Sequence, residues 1–241
     1  MTGQLIGVGV GPGDPELITL KALHALATAD VVAYFAKAGN TSTARRIAAI
    51  HLRSGIDELP LLYPMTTEVM RHDPIYRTAL RDFYTRSAES VAALLDAGRT
   101  VAVLAEGDPL FYGSYMHLHA RLASRYPTRI VPGITGMSGC WSAVSTPIAQ
   151  GDDVLAVLPG TLPEEELERR IAEADAAVVM KLGRNLPKVR RAVERAGRLY
   201  RAIYVERGTM ANARTLPLAQ KVDDTAPYFS IVLVPGWERM P

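Results

Sequence analysis

The sequence predicts an α/β protein built from two domains. Three observations carry that expectation. Short apolar strand patterns alternate with helix patterns along nearly the whole chain, as layered α/β folds require. Glycine and proline gather directly after several strand patterns, at Gly11–Pro15, Gly107–Pro109 and Pro132–Gly133, where the chain must turn. A stretch rich in small residues, Gly136–Ile148, then interrupts the pattern before it restarts. The boundary is placed there, giving an N-terminal domain over 1–140 and a C-terminal domain over 141–241. A chain of 241 residues has room for both.

In chain order, Leu5–Gly11 reads as a strand, and Asp14 is expected to cap a helix over Glu16–Ala29 that Pro15 begins. Asp30–Phe35 is a second strand, Ser42–Leu52 a helix capped by Ser42, and Gly55–Glu68 a strand-like run broken by Pro64. Leu80, Phe83, Tyr84, Val91, Leu94 and Leu95 form the apolar face of a long helix over Ile75–Ala97, which Gly98 ends. The strand Thr100–Leu104 follows, then the loop Ala105–Tyr115, the helix Met116–Arg125 and the strand Arg129–Ile134. After the boundary come strand Asp153–Leu158, helix Pro163–Ala174, strand Ala176–Leu182 and helix Pro187–Ala196. The chain finishes with strand Arg201–Glu206, a loop around Gly208 and strand Tyr228–Val234.

Composition narrows the function classes. Apolar residues make up 48% and charged residues 22%, as in ordinary globular chains, and the net charge of +2 gives no field that would favour nucleic acid or an anionic membrane. A single cysteine, Cys140, leaves no internal disulfide and no cysteine-clustered metal site. Met1–Gln4 leads at once into a strand and no apolar run is long enough to span a membrane, so a cytoplasmic protein is expected.

The loop Ala105–Tyr115 carries the first chemical signal. A buried strand ends in two carboxylates, Glu106 and Asp108, among Gly107, Pro109 and Gly113, and ligands of open α/β sheets sit beyond the carboxyl ends of strands. Both carboxylates are candidate bases, with Asp108 as a turn residue accepting backbone amides the competing reading. The first glycine-rich loop fails as a dinucleotide fingerprint: Gly9 leads to Pro12 and Gly11 to Asp14 where a third glycine belongs, and Pro12 removes an amide that a pyrophosphate would need. No phosphate-binding Gly-Lys-Ser/Thr occurs. His117 and His119 lie two apart on a helix, which turns them to different faces and argues against a shared metal, so no metal site is expected.

Four loops stand out together: GVGPGDPELITLKA ending at Ala22, EGDPLFYGS over Glu106–Ser114, VPGITGMSG over Val131–Gly139 and VERGTM over Val205–Met210. In this order and spacing they resemble the tetrapyrrole (corrin/porphyrin) methylases across essentially the whole chain. The longer phrases DVVAYF, LLYPMT, EGDPLFYGSYMHLHARL and VVMKLGRNLPKVR are most similar to the branch that methylates precorrin-2 at C-20. The resemblance does not separate precorrin-2 from its cobalt-loaded counterpart, and methylation at another carbon stays open. So does a small-molecule-binding module without turnover. Gly136 stands where many family members have a serine, and Phe35 where proline is common, a change expected to alter loop shape only.

The resemblance implies two α/β domains with a trough for cofactor and substrate between them, usually in a homodimer, and S-adenosyl-L-methionine as the methyl donor. The cofactor would be held by Gly107, Asp108, Pro109, Tyr112 and Ser114, by Thr135 and Gly136, and by Met180 and Leu182. Gly208, Thr209 and Met210, with Ser230 and Ile231 in the last strand, would complete the set, and Pro12 would shape the floor near both cofactor and substrate. A polycarboxylate substrate calls for cations. Among Lys37, Arg45, Arg46, Lys181 and Arg184, the two beyond a strand end, Lys181 and Arg184, are preferred.

Overall fold

Near-continuous apolar runs in the first half of the chain form the centre of a five-stranded parallel sheet. The computed structural model describes residues 2–64 and 74–236. These residues fall into two units, Met1–Thr135 and Gly136–Pro241.

In the first unit, strands β1 (Leu5–Gly9), β2 (Val31–Lys37), β3 (Asp57–Tyr63), β4 (Val101–Ala105) and β5 (Thr128–Val131) lie side by side in the order β3-β2-β4-β1-β5. All pairings are parallel. The chain moves one way along the sheet through helices α1 (Leu20–Thr28) and α2 (Thr43–Ala48), and back the other way through α3 (Pro74–Asp96) and α4 (Tyr115–Leu122). Right-handed crossovers running in opposite directions must put their helices on opposite faces. They do: Ala22, Leu26, Ala44 and Ile47 of α1 and α2 pack with Ile6, Val8, Val32, Ala102 and Leu104. Val91 and Leu95 of α3, with Tyr115 and Leu118 of α4, cover Leu5, Ala33, Val101 and Val103. The chain therefore leaves the neighbouring strands β1 and β4 for opposite faces of the sheet, and such a switch point is where open parallel sheets form a ligand crevice.

Local chemistry explains the boundaries. The expected helix over Glu16–Ala29 is split. Asp14 accepts the Glu16 amide and closes only a 3₁₀ turn over Pro15–Leu17, and α1 starts afresh at Leu20 with Thr19 as its cap. Ser42 caps α2 by accepting the Arg45 amide at 3.3 Å, as its sequence position predicts. The tail of the Gly55–Glu68 run, 65–68, lies outside the described residues. Phe35 does more than shape a loop: it packs with Tyr63, Phe83 and Tyr84 in an aromatic cluster on the α3 side of the sheet.

The second unit opens with α5 (Gly136–Ala143), followed by β6 (Leu155–Pro159), α6 (Glu164–Glu173), β7 (Ala176–Met180), α7 (Leu186–Arg195), β8 (Ile203–Glu206), β9 (Arg214–Pro217) and β10 (Ser230–Val234). The sheet runs β6-β7-β10-β8-β9, parallel only between β6 and β7. Helices α6 and α7 cover one face through Leu167, Ile171, Val189 and Val193. Helix α5 covers the other, setting Cys140 against Val178, Val205 and Leu233. Strand β9 has no sequence expectation behind it. Its short, largely exposed RTLP segment gives no apolar alternation and carries a proline, which only an edge strand tolerates.

Candidate functional site

In the first unit, three glycines bring the ends of three adjacent strands into backbone contact. A Cβ on Gly9 would lie 2.5 Å from the Gly133 nitrogen and 2.7 Å from the Gly107 oxygen, and one on Gly133 would lie 2.1 Å from that same oxygen. A two-way bridge joins the loops after β1 and β4: the Val10 amide donates to Ala105, and the Gly107 amide to Gly11 at 2.8 Å. Gly107 holds φ at +66°, which glycine adopts without strain. The loops carrying Pro12 and Gly107–Ser114 are thus brought together.

Asp108 fastens the third strand end. Its Oδ1 accepts the Leu110 amide at 2.9 Å and its Oδ2 accepts the Gly133 amide at 3.1 Å. Both oxygens are engaged by backbone, the arrangement of a turn residue. Pro109 is buried behind it. Tyr112 holds φ at +54°, a left-handed value costly for an aromatic residue, and its ring is half exposed beside Phe111. The Ser114 hydroxyl does not cap α4; it is shared by the hydroxyls of Tyr63 and Tyr84. Thr135 closes the unit, half-buried.

Glu106 sits differently. It leaves β4 on the α1/α2 side, and its Oε1 accepts the Ala44 amide in the first turn of α2 at 3.0 Å. Solvent reaches the side chain. Protein nevertheless crowds the carboxyl enough for burial to push its pKa above the ordinary 4.5, against the lowering effect of its own and Ala44's amides.

The second unit gathers another part of the expected set. Gly136 begins α5, and Ile231 and Gly208 lie against this helix: a Cβ on Gly136 would meet Ile231 at 4.0 Å, and one on Gly208 would meet the Cys140 Sγ at 2.7 Å. Burial raises the Cys140 thiol to about 11, so it is an unreactive packing group. Thr209 and Met210 follow in a tight turn that the Met210 amide closes onto the Arg207 carbonyl at 2.7 Å. Ser230 is buried with its hydroxyl donating to the Pro227 carbonyl at 2.6 Å. At the end of β7, the Met180 carbonyl accepts the Gly160 amide and Lys181 holds φ at +58°. The Leu182 side chain is fully buried in the α6/α7 core, so only its backbone can face a ligand, while Arg184 is exposed. Arg207 is a basic residue the sequence reasoning passed over. It follows a strand end with φ at +49° and pairs with Glu206 at 3.3 Å.

The charge of the two loop sets differs. Loops 10–19, 106–114 and 132–135 carry Asp14, Glu16, Glu106 and Asp108 and no lysine or arginine. Such a set suits a cationic or neutral ligand and disfavours a phosphate. In the second unit, loops 181–185 and 207–213 carry Lys181, Arg184 and Arg207 and no carboxylate, which suits a polyanion.

A family model described as Tetrapyrrole (Corrin/Porphyrin) Methylases matches residues 4–221. The chain belongs to this family. A precorrin-2 C(20)-methyltransferase of Sinorhizobium sp is 63% identical to this methylase over 239 residues, covering 99% of this chain and 98% of the relative. A cobalt-precorrin-2 C(20)-methyltransferase of Salmonella typhimurium is 26% identical, covering 99% of each. Among solved structures, a uroporphyrin-III C-methyltransferase of Thermus thermophilus complexed with S-adenyl homocysteine matches with a TM-score of 0.66 at 21% identity, covering 97% of this chain and 92% of that one. That likeness is one of fold.

Two outcomes are expected from the site of this tetrapyrrole methylase. Gly208→Ala will lower the melting temperature, because the new methyl meets the Cys140 sulfur at 2.7 Å and the Cys140 Cα at 3.0 Å. Cys140→Ala in the same chain will recover part of the loss, by removing the sulfur and leaving the backbone contact. A double-mutant cycle followed by thermal melting reads the coupling. Glu106→Gln will change the pH dependence of stability. A carboxyl whose native pKa lies above its unfolded value stabilises the fold fully below the unfolded value and loses that contribution as pH rises through the native one. The amide keeps the Oε1 acceptor for Ala44 and stays neutral. The variant will therefore equal or exceed the wild type in urea midpoint at neutral pH, with the difference vanishing below pH 4.5.

Proposed function

We propose that this protein methylates precorrin-2 at C-20, using S-adenosyl-L-methionine, to give precorrin-3A on the route to cobalamin. The observation that carries the reading is the 63% identity, over 99% of the chain, to a relative named for that reaction. The enzyme class is that of an S-adenosylmethionine-dependent C-methyltransferase. The donor supplies an activated methyl on a sulfonium centre. Its net cation suits the acidic, phosphate-averse loops of the first unit.

The chain's own residues then bind and orient. The fused strand ends at Gly9, Gly107 and Gly133 present rigid backbone, Asp108 holds that backbone in register, and Tyr112 and Ser114 line the exit from the loop. Thr135, Gly136, Met180, Leu182, Gly208, Thr209, Met210, Ser230 and Ile231 supply further contacts to the donor in this reading. Lys181 and Arg184 bind substrate carboxylates, with Pro12 shaping the floor. Alignment of a carbon nucleophile with a sulfonium methyl is largely a matter of positioning, for which fixed backbone is well suited. A cytoplasmic homodimer is part of the proposal, supported by the single cysteine and by the family resemblance.

Anaerobic incubation with S-adenosylmethionine and precorrin-2 tests the reading. Gain of one methyl, placed at C-20 by carbon labelling, is expected; no gain overturns methylation, and a methyl elsewhere overturns the regiochemistry. Running the cobalt-loaded substrate in parallel separates the two named relatives' reactions. The wild type is expected to prefer the metal-free substrate, since the relative named for it shares 63% identity and the one named for the cobalt form 26%.

A further inference from the structure

Methylation of a ring carbon that bears hydrogen leaves a proton to be removed, and the first unit offers few groups able to take it. As the new C–CH₃ bond forms, the S–CH₃ bond breaks and its electron pair stays on sulfur as a thioether. The methylated carbon still holds its hydrogen, and conjugation returns only when the C–H electron pair goes back to the ring and the proton leaves to a base. A carboxylate at the carboxyl end of the sheet is suitably placed, and those in the loops after β1 and β4 can be compared one by one.

Asp108 has both oxygens committed to the Leu110 and Gly133 amides. Asp14 closes the 3₁₀ turn by accepting the Glu16 amide, and both residues lie on that turn well beyond the end of β1 at Gly9, whereas Glu106 directly follows β4. Glu58, on the neighbouring edge strand, is gripped at both oxygens by Arg45. Glu106 remains. Its donors are backbone amides, Ala44's and its own, and no lysine or arginine among the described residues lowers its proton affinity. Solvent reaches the side chain, so a captured proton has a way out. The Ala44 amide fixes one oxygen, which holds the carboxyl in one orientation relative to β4.

We infer that Glu106 is the base that takes the C-20 proton after methyl transfer. The inference rests on the C-20 reading above. In the step, the C–H bond breaks, its electrons rejoin the conjugated ring, and the carboxylate becomes a neutral carboxylic acid that passes the proton to water. Crowding by protein raises the carboxyl's proton affinity and so suits it to the task. The bond to Ala44 offers a competing, purely structural role, and the two roles separate experimentally because glutamine keeps the acceptor and loses the base.

The experiment is a single turnover of wild type and Glu106→Gln on precorrin-2 deuterated at C-20, following thioether release and loss of deuterium separately. Thioether release at close to the wild-type rate is expected in the variant, with deuterium loss slowed on the order of 10²-fold or more. Glu106→Ala, which also loses the acceptor, is expected to regain deuterium loss when formate is added. Deuterium loss at the wild-type rate in Glu106→Gln overturns the inference. So does a parallel fall of both steps with no rescue of Glu106→Ala by formate, which assigns the residue to structure. Should wild type leave no methyl at C-20, the functional reading itself falls, an outcome distinct from an unaffected variant on a working enzyme.

Discussion

Gly133→Ala is expected to cost the fold about 3 kcal/mol or more, at the upper end of what overpacking does. The added Cβ would stand 2.1 Å from the Gly107 oxygen and 2.9 Å from the Gly9 Cα, and both are backbone. A clash with a side chain can relax by a rotamer change. This one can relax only by parting β1, β4 and β5 at their carboxyl ends, which breaks the Gly107–Gly11 bridge and the Asp108–Gly133 bond. Methyltransferase activity will fall with stability, since the same backbone lines the proposed site. Gly136→Ala is the matched control: its Cβ would meet nothing nearer than Ile231 at 4.0 Å, and its melting temperature is expected to stay at or slightly above the wild-type value. Thermal melting of the pair checks the contrast. Equal melting temperatures would show that the strand ends are free to separate.

Asp108→Ala carries the second large effect. The carboxylate satisfies two backbone amides, and hydrogen bonds to charged groups contribute about 1.5–3 kcal/mol each. Discounting for a half-buried site, a loss of about 2–4 kcal/mol is expected. Asp108→Asn keeps a single oxygen acceptor and is expected to lose about half as much. If Asp108 works by position, activity per folded molecule will follow the rank wild type, asparagine, alanine, in step with the urea midpoint. A fully stable asparagine variant with no turnover would instead return Asp108 to acid–base chemistry.

Much of the first unit was legible in the sequence. Strands β1, β2 and β4 are near-continuous apolar runs, as strands buried on both faces must be, and the Leu80–Leu95 periodicity of α3 is unambiguous. Residues whose meaning lies in a distant partner were not legible. Asp108 reads as a possible base until Gly133, twenty-five positions on, is seen to donate to it. Gly9 reads as one more strand residue and Gly133 as an ordinary turn glycine until their approach shows that no side chain fits. The α1 start is not legible because Asp14 is a good cap, and the competing cap, Thr19, outweighs it only once Ala22, Ala25 and Leu26 pack on the sheet. Strand β9 is made by pairing with β8 rather than by its own pattern.

The backbone fusion at Gly9, Gly107 and Gly133 also bears on motion. Three loops that leave three different strands cannot open one at a time, because each strand end is wedged against the other two. Amide exchange at Val10, Gly107 and Gly133 should then proceed through one shared opening with a common free energy and a common denaturant dependence. Any ligand that stabilises one of these amides will slow exchange at all three, and a contact at one strand end will be registered across the sheet.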